Sequence, residues 1–265
     1  MTVTPQAVAA AAARSPLVRA GTMSALADLD ELRFREEVEQ YPNPLEDVPR
    51  FIDGKALPRR LAYALDSAQL DPSGQIVDLG AGLCWLSATL ARRPEVEQVV
   101  AIEFSERRLV QLAPVALAYL EAPAHKVERR IADFHAHGLP DGSADWVVMD
   151  AAFHHAPDPV RLARVAFDLL RPGGRFLLLR EPTLSLLRRR RDHGVEDEHG
   201  SFEREHYARG YLGALREAGF RASKHPAAGG FRTLRQRIIL RPPLSWLNGV
   251  AFAEWTYVGV RPPSG

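Results

Sequence analysis

"VDLGAGLCWLS", Val77–Ser87, decides the fold. It reads as an apolar strand carrying an acid, Asp78, then two glycines, Gly80 and Gly82, then a helix starting near Trp85. Turns of this kind hold nucleotides at the carboxyl ends of strands in open α/β sheets. A P-loop needs a Gly-Lys-Ser/Thr ending, which is missing here. A dinucleotide fingerprint needs a glycine three positions after the second one, and Trp85 stands there. Asp78 also weighs against phosphate. A carboxylate at the strand tip repels a pyrophosphate and favours a ligand that carries ammonium and sulfonium charge.

Working outward, short apolar runs alternate with helical stretches. The runs are "QIVDLG", "VVAIEF", "KVERRIADF", "DWVVMDA" and "GRFLLLREP". Between them lie 85–93, 106–120 and 159–170. This alternation predicts a parallel sheet with crossover helices. "RPGG", Arg171–Gly174, reads as the turn from a helix into a strand. "YPNPLEDVPRF" reads as a proline break between two helices. The first helix carries Leu26, Leu29, Leu32 and Phe34, and the second carries Leu57, Leu61 and Leu65. Two further strands are expected near Phe220–His225 and Glu254–Val260, after a helix ending at Gly219.

The acid-Leu-Gly-x-Gly order resembles motif I of the class I S-adenosylmethionine-dependent methyltransferases. Further motifs follow in order: Glu103 at the end of the next strand, "ADF" at 132–134, "WVVMDAAFHHAPDP" and "LLRPGGRFLLL". Together they cover about Gly74 to Glu181 and are closest to the ubiquinone/menaquinone-biosynthesis-like small-molecule group. The resemblance implies an α/β fold with a mostly parallel, seven-stranded Rossmann-like sheet and helices on both faces. It also implies a helical cap over 1–70 and a methyltransferase domain over 71–265, with insertions near 183–205 and 226–253. The implied cofactor is S-adenosyl-L-methionine. Its implied contacts are Asp78, Gly80, Ala81, Gly82, Glu103, Phe104, Asp133, Phe134, Asp150 and Ala151, with Glu103 on the ribose hydroxyls and Asp133 and Phe134 on adenine. The family's third glycine falls on Cys84, where the backbone is less free. Trp85 reads as core.

Methyl transfer is an in-line displacement at carbon, so alignment and exclusion of water matter most. His154 and His155 are the candidate catalytic residues, with His154 favoured as base. The alternative is that the pair braces the loop. No metal is expected, because the carboxylate spacing in this turn is wrong for one. Tyr41, Glu181, Tyr207 and Tyr211 are candidate substrate-side residues, each with ordinary packing as the competing reading. Arg188–Arg191 fit either a phosphate-bearing acceptor or a solvated loop. "PLSWLNGVAFAEWTYVGV" fits a cover over a lipophilic acceptor, a homodimer face or a membrane-surface contact.

The bulk numbers fit this reading. The chain has 265 residues, 46% hydrophobic and 25% charged, with a net charge of +1. No global field invites DNA, and no uncharged apolar run is long enough to span a bilayer. One cysteine, Cys84, rules out an intrachain disulfide and suits a reducing, cytoplasmic setting. The alanine-rich N-terminus lacks a basic region before its apolar run, so it reads as a tail or short helix rather than a signal peptide. The leading expectation is methylation of a small-molecule acceptor, oxygen before nitrogen or carbon. An RNA or protein methyltransferase, a non-catalytic cofactor-binding module and an NAD-dependent oxidoreductase are the competing readings.

Overall fold

The structure is a computed structural model that describes residues 2–20, 40–184, 206–227 and 255–263. The expected helix with Leu26 to Phe34, the Arg188–Arg191 run and nearly all of the insertions expected near 183–205 and 226–253 lie outside the described residues. In chain order the elements are α1 (Pro5–Arg14), β1 (Leu17–Arg19), α2 (Pro44–Gly54), α3 (Leu57–Ser67), β2 (Gly74–Leu79), α4 (Trp85–Ala91), β3 (Val96–Glu103), α5 (Ala113–Tyr119), β4 (Val127–Ile131), β5 (Ala144–Asp150), α6 (Pro159–Leu169), β6 (Leu170–Leu179), β7 (Thr183–Leu184), β8 (His206–Tyr207), α7 (Ala208–Glu217), β9 (Arg221–Pro226) and β10 (Trp255–Val260). They fall into two compact units, Met1–Pro58 with Pro72–Trp146, and Arg59–Asp71 with Val147–Gly265.

In the first unit the strands lie in the order β1-β4-β3-β2, and every pair is parallel. Their inward positions are apolar and buried, among them Ile76, Leu79, Val99, Ala101, Ile102 and Val127. α1, α2 and α4 pack against α5. β1 is an addition to the expected strands. It extends the sheet edge by pairing with β4, and buried Arg129 fastens the segment that carries it. The Arg129 guanidinium donates to Ser15 Oγ at 3.0 Å, Leu109 O at 2.8 Å, Ala12 O at 2.9 Å and Ser15 O at 2.7 Å. Burial pulls the Arg129 pKa down, yet carbonyl and hydroxyl acceptors satisfy its donors. The N-terminal stretch is therefore helix and strand built into the sheet. β2 begins at Gly74, where φ is +68° and a Cβ would stand 2.2 Å from Asp145 Oδ2. That carboxylate accepts the Gln75 N–H at 2.8 Å.

In the second unit the order is β5-β6-β10-β9, with β10 antiparallel to both of its neighbours. The α/β class is as the sequence reads, and the sheet is mixed. α6 and α7 pack together. Asp158 caps α6 by accepting the Arg161 N–H at 3.0 Å, and Pro159 occupies its first turn.

Three local readings are corrected. The proline-rich stretch is a helix, α2, with Pro44 in its first turn and Pro49 inside it. Val48 and Ile52 are fully buried, and that packing outweighs the backbone bond lost at Pro49. "RPGG" is not a separate turn. α6 runs straight into β6, and Gly173, at φ +85°, keeps the strand paired to the chain beyond β10 through Arg261. Residues 106–120 are not one regular helix either. Arg108–Leu112 is a π turn closed by the Ala113 N–H on Arg108 O. Pro114 follows it and lacks the N–H that a regular helix would need there.

Candidate active site

In the first unit, the loop after β2 and the residues after β3 form one cluster. The N–H groups of Gly80 and Ala81 both donate to Ile102 O at 2.9 Å, which pins the loop to β3. Gly80 and Gly82 have φ of +73° and +54°. A Cβ added at Gly82 would meet nothing nearer than Arg108 Nη1 at 4.0 Å. Glu103 is buried, and its carboxylate accepts from Gly82 N at 2.9 Å, Phe104 N at 3.0 Å and Ser105 N at 3.1 Å. Arg108 Nη1 stands 3.7 Å from the same carboxylate. Asp78 lies within β2, not beyond its end, and is 1% exposed. Its Oδ2 accepts the Ser87 hydroxyl at 2.6 Å, which ties the first turn of α4 to the strand. Cys84 adopts φ +61°, a conformation that disfavours any residue but glycine. Burial, then the Asp78 and Glu103 charges, push its thiol pKa well up, so it is packing rather than a nucleophile. Trp85 is buried in the core. Asp133 and Phe134 are half-buried just past β4, and Asp133 Oδ1 accepts the His135 N–H at 2.7 Å.

In the second unit, the tips of β5 and β6 are laced together. Arg180 grips Asp150 with both Nε and Nη2, the Nε bond being 2.6 Å long. Ala151 N donates to Leu179 O at 2.9 Å. Ala151 and Arg180 have φ of +50° and +54°, so both tips hold strained backbone. Glu181 then closes the turn over 152–154. Its buried carboxylate accepts the N–H groups of Ala152 at 3.1 Å, Phe153 at 3.0 Å and His154 at 3.1 Å. His154 Nδ1 lies 2.8 Å from the same carboxylate. Surrounded by donors, the carboxylate acts as acceptor, which puts a ring proton on Nδ1; in the neutral ring Nε2 then carries the lone pair. The His154 and His155 rings lie 4.0 Å apart. His154 is buried, while His155 is exposed.

Of the candidate substrate-side residues, Glu181 is committed to this turn. Tyr211 is buried, with its hydroxyl on Pro182 O at 2.7 Å. Tyr41 is buried edge-on to Phe51, and its carbonyl accepts from Arg107. Tyr207 is exposed, with Arg209 over its ring. Below Glu181, the Thr183 hydroxyl donates to Glu181 O at 3.1 Å and itself accepts from Tyr257 OH at 2.8 Å. Burial pushes the Tyr257 phenol pKa up. Sequence reading missed Ser87, Arg108 and Arg180. The one available signal was Arg180, a basic residue ending one apolar run ("FLLLR") as Asp150 ends another ("WVVMD").

Residues 77–178 match a family described as a methyltransferase domain. This chain carries a class I, S-adenosylmethionine-dependent methyltransferase domain. The ubiquinone biosynthesis O-methyltransferase of Xanthomonas axonopodis pv. citri is 33% identical over 129 residues, 46% of this chain and 48% of that protein. The chain thus spans about half the length of the curated relatives it matches. A chain of the "complex between the Haloferax volcanii Trm112 methyltransferase activator and the putative methyltransferase" aligns with a TM-score of 0.59 at 20% identity, over 82% of this chain and 93% of that one. Haemonchus contortus phosphoethanolamine N-methyltransferase 2, solved with S-adenosylmethionine, aligns at 0.52 and 15% identity, over 78% and 53%. The [4+2]-cyclase SpnF aligns at 0.54 and 18% identity, over 78% and 81%. These structures share the fold, and the fold alone fixes no reaction.

The residues of the methyltransferase domain suit its cofactor. The surface over Gly82 is open, two buried carboxylates, Asp78 and Glu103, lie in the glycine-loop cluster, and Asp133 stands just past β4. This set of acceptors suits hydroxyls and cationic groups and offers a pyrophosphate little.

Proposed function

We propose that this chain transfers the methyl group of S-adenosylmethionine to a hydroxyl of a small-molecule acceptor. One observation supports a base at this site: His154 Nδ1 lies 2.8 Å from the Glu181 carboxylate, a pairing that in the neutral ring leaves Nε2 able to take a proton. The curated relatives named for ubiquinone-biosynthesis O-methylation support the same reading. When bound, the cofactor supplies a methyl group on a sulfonium, a good leaving group. Asp78, Gly80, Ala81, Gly82, Glu103, Phe104, Asp133 and Phe134 are the residues we assign to holding it, with Asp150 and Ala151 at the tip of β5. Glu103 is the ribose-side acceptor, and Phe134 offers a ring face to adenine.

His154 takes the proton of the acceptor hydroxyl at Nε2, which raises the nucleophilicity of the acceptor oxygen. Glu181 then stabilises the imidazolium through Nδ1–H. Base catalysis of this kind contributes roughly 10²–10⁴-fold. The Arg180–Asp150 fork and the three turn amides on Glu181 hold the imidazole in place, so little reorganisation is needed during the reaction.

The test uses tritiated S-adenosylmethionine with a fractionated small-molecule extract, comparing wild type, His154→Ala and His155→Ala. Wild type labels an extractable product, His155→Ala keeps most turnover, and His154→Ala loses about a hundred-fold or more. Affinity for S-adenosylhomocysteine stays within a few-fold in both variants. Full turnover by His154→Ala would remove it as the base.

A further inference from the structure

We infer that Arg108 sets how strongly the cofactor site prefers a sulfonium over a neutral thioether. The inference rests on the cofactor reading above. The glycine-loop cluster holds two buried acids, Asp78 and Glu103, and Arg108 brings a cation to its edge. Its Nη1 lies 3.7 Å from Glu103 Oε2 and 4.0 Å from where a Cβ on Gly82 would stand, so it borders the open surface over the glycine loop. The Arg108 side chain is 33% exposed, against 3% for that of Glu103. At 3.7 Å the contact is an ion pair and not a hydrogen bond. The N–H groups of Gly82, Phe104 and Ser105 take three of the roughly four acceptor sites of the Glu103 carboxylate.

The backbone fixes this placement. Arg108 opens the π turn ahead of Pro114, and its N–H is held on Ser105 Oγ at 3.3 Å. Ser105 N in turn donates to Glu103 Oε1 at 3.1 Å. Guanidinium stays charged at every working pH. S-adenosylmethionine and S-adenosylhomocysteine share the adenosine, the carboxylate and the ammonium. They differ by the methyl group and the positive charge on sulfur. A fixed cation at this wall offsets part of the pull of the acids on that charge, so it lowers affinity for the methyl donor relative to the demethylated product. Arg108 is thus a specificity residue that trades tight donor binding against product release.

The test is calorimetry of the whole chain with each ligand in wild type, Arg108→Met, Arg108→Gln and Arg108→Lys. Removing the charge shifts the affinity ratio about five-fold toward S-adenosylmethionine in both neutral variants, the scale of a partly screened charge pair. Arg108→Lys keeps the charge and leaves the ratio within two-fold. A ratio unchanged in Arg108→Met and Arg108→Gln, with both ligands still binding, overturns the inference and leaves the cofactor reading standing. An equal shift in Arg108→Lys also overturns it, since shape rather than charge would then set the ratio. Binding of neither ligand by wild type overturns the cofactor reading itself.

Discussion

Removing the Glu181 carboxylate will unpin the turn that carries His154. Glu181→Ala strands three buried N–H groups, those of Ala152, Phe153 and His154, and the Nδ1–H of His154. Each stranded buried donor costs about 1–3 kcal/mol if it stays dry. Two effects reduce the sum. The turn can open to water, and the buried carboxylate no longer has to be desolvated. A net loss of about 2–4 kcal/mol follows, a large share of a typical total of about 5–15 kcal/mol. Glu181→Gln keeps one carbonyl acceptor and loses about half as much. Urea unfolding followed by circular dichroism gives the midpoint and slope needed. Amide exchange localises the effect: protection at 152–154 falls about a hundred-fold in Glu181→Ala, as expected for about 3 kcal/mol. A Glu181→Ala protein within about 1 kcal/mol of wild type, with those amides still protected, would refute the reasoning.

Arg129→Met removes four donated bonds and strands the Ala12, Ser15 and Leu109 carbonyls. We expect a loss of about 3–5 kcal/mol and rapid proteolysis within residues 5–20, whereas wild-type cleavage kinetics would contradict the anchoring role. Gly74→Ala meets both a positive φ and a Cβ 2.2 Å from Asp145 Oδ2, so it should destabilise by more than about 2 kcal/mol in the same urea assay, and a neutral result would contradict the clash. Burial, then the nearby Arg130, lower the His137 pKa. Its folded form therefore resists protonation while the unfolded chain accepts it. Stability falls as pH drops from about 7 through the ordinary imidazole value of about 6.5 toward the lowered one. His137→Asn should flatten that stretch of the stability–pH curve, and an unchanged slope would exclude His137 as a contributor.

Much of the domain was legible because its signals are local. "VDLGAG" carries a strand, a turn and its acid within six residues, and continuous apolar runs mark strands buried on both faces. Two of the misread segments, and the unexpected strand β1, depend on packing or pairing that local pattern does not reveal. Pro49 sits in a helix because Val48 and Ile52 are buried, and "RPGG" stays extended because Arg261 pairs with it. β1 exists because Arg129 holds its lead-in helix, a contact more than a hundred residues away in sequence. At the site, the residue types were readable and their commitments were not. Glu181 looked like a group reaching for substrate, and the structure turns it back onto the His154 turn. Nothing in the sequence marks Arg108 as a neighbour of Glu103, because that contact depends on the π turn ahead of Pro114.

The central claim is that carboxylates around the glycine loop fit this site to a cationic methyl donor and not to a pyrophosphate. Titration of the intact chain with S-adenosylhomocysteine and with NAD, in wild type and Glu103→Ala, tests it most directly. The account predicts binding of S-adenosylhomocysteine, at least about ten-fold weaker in Glu103→Ala, the loss expected for a charged hydrogen-bond acceptor, and no binding of NAD. Saturable NAD binding, or S-adenosylhomocysteine affinity unmoved by Glu103→Ala, would contradict it.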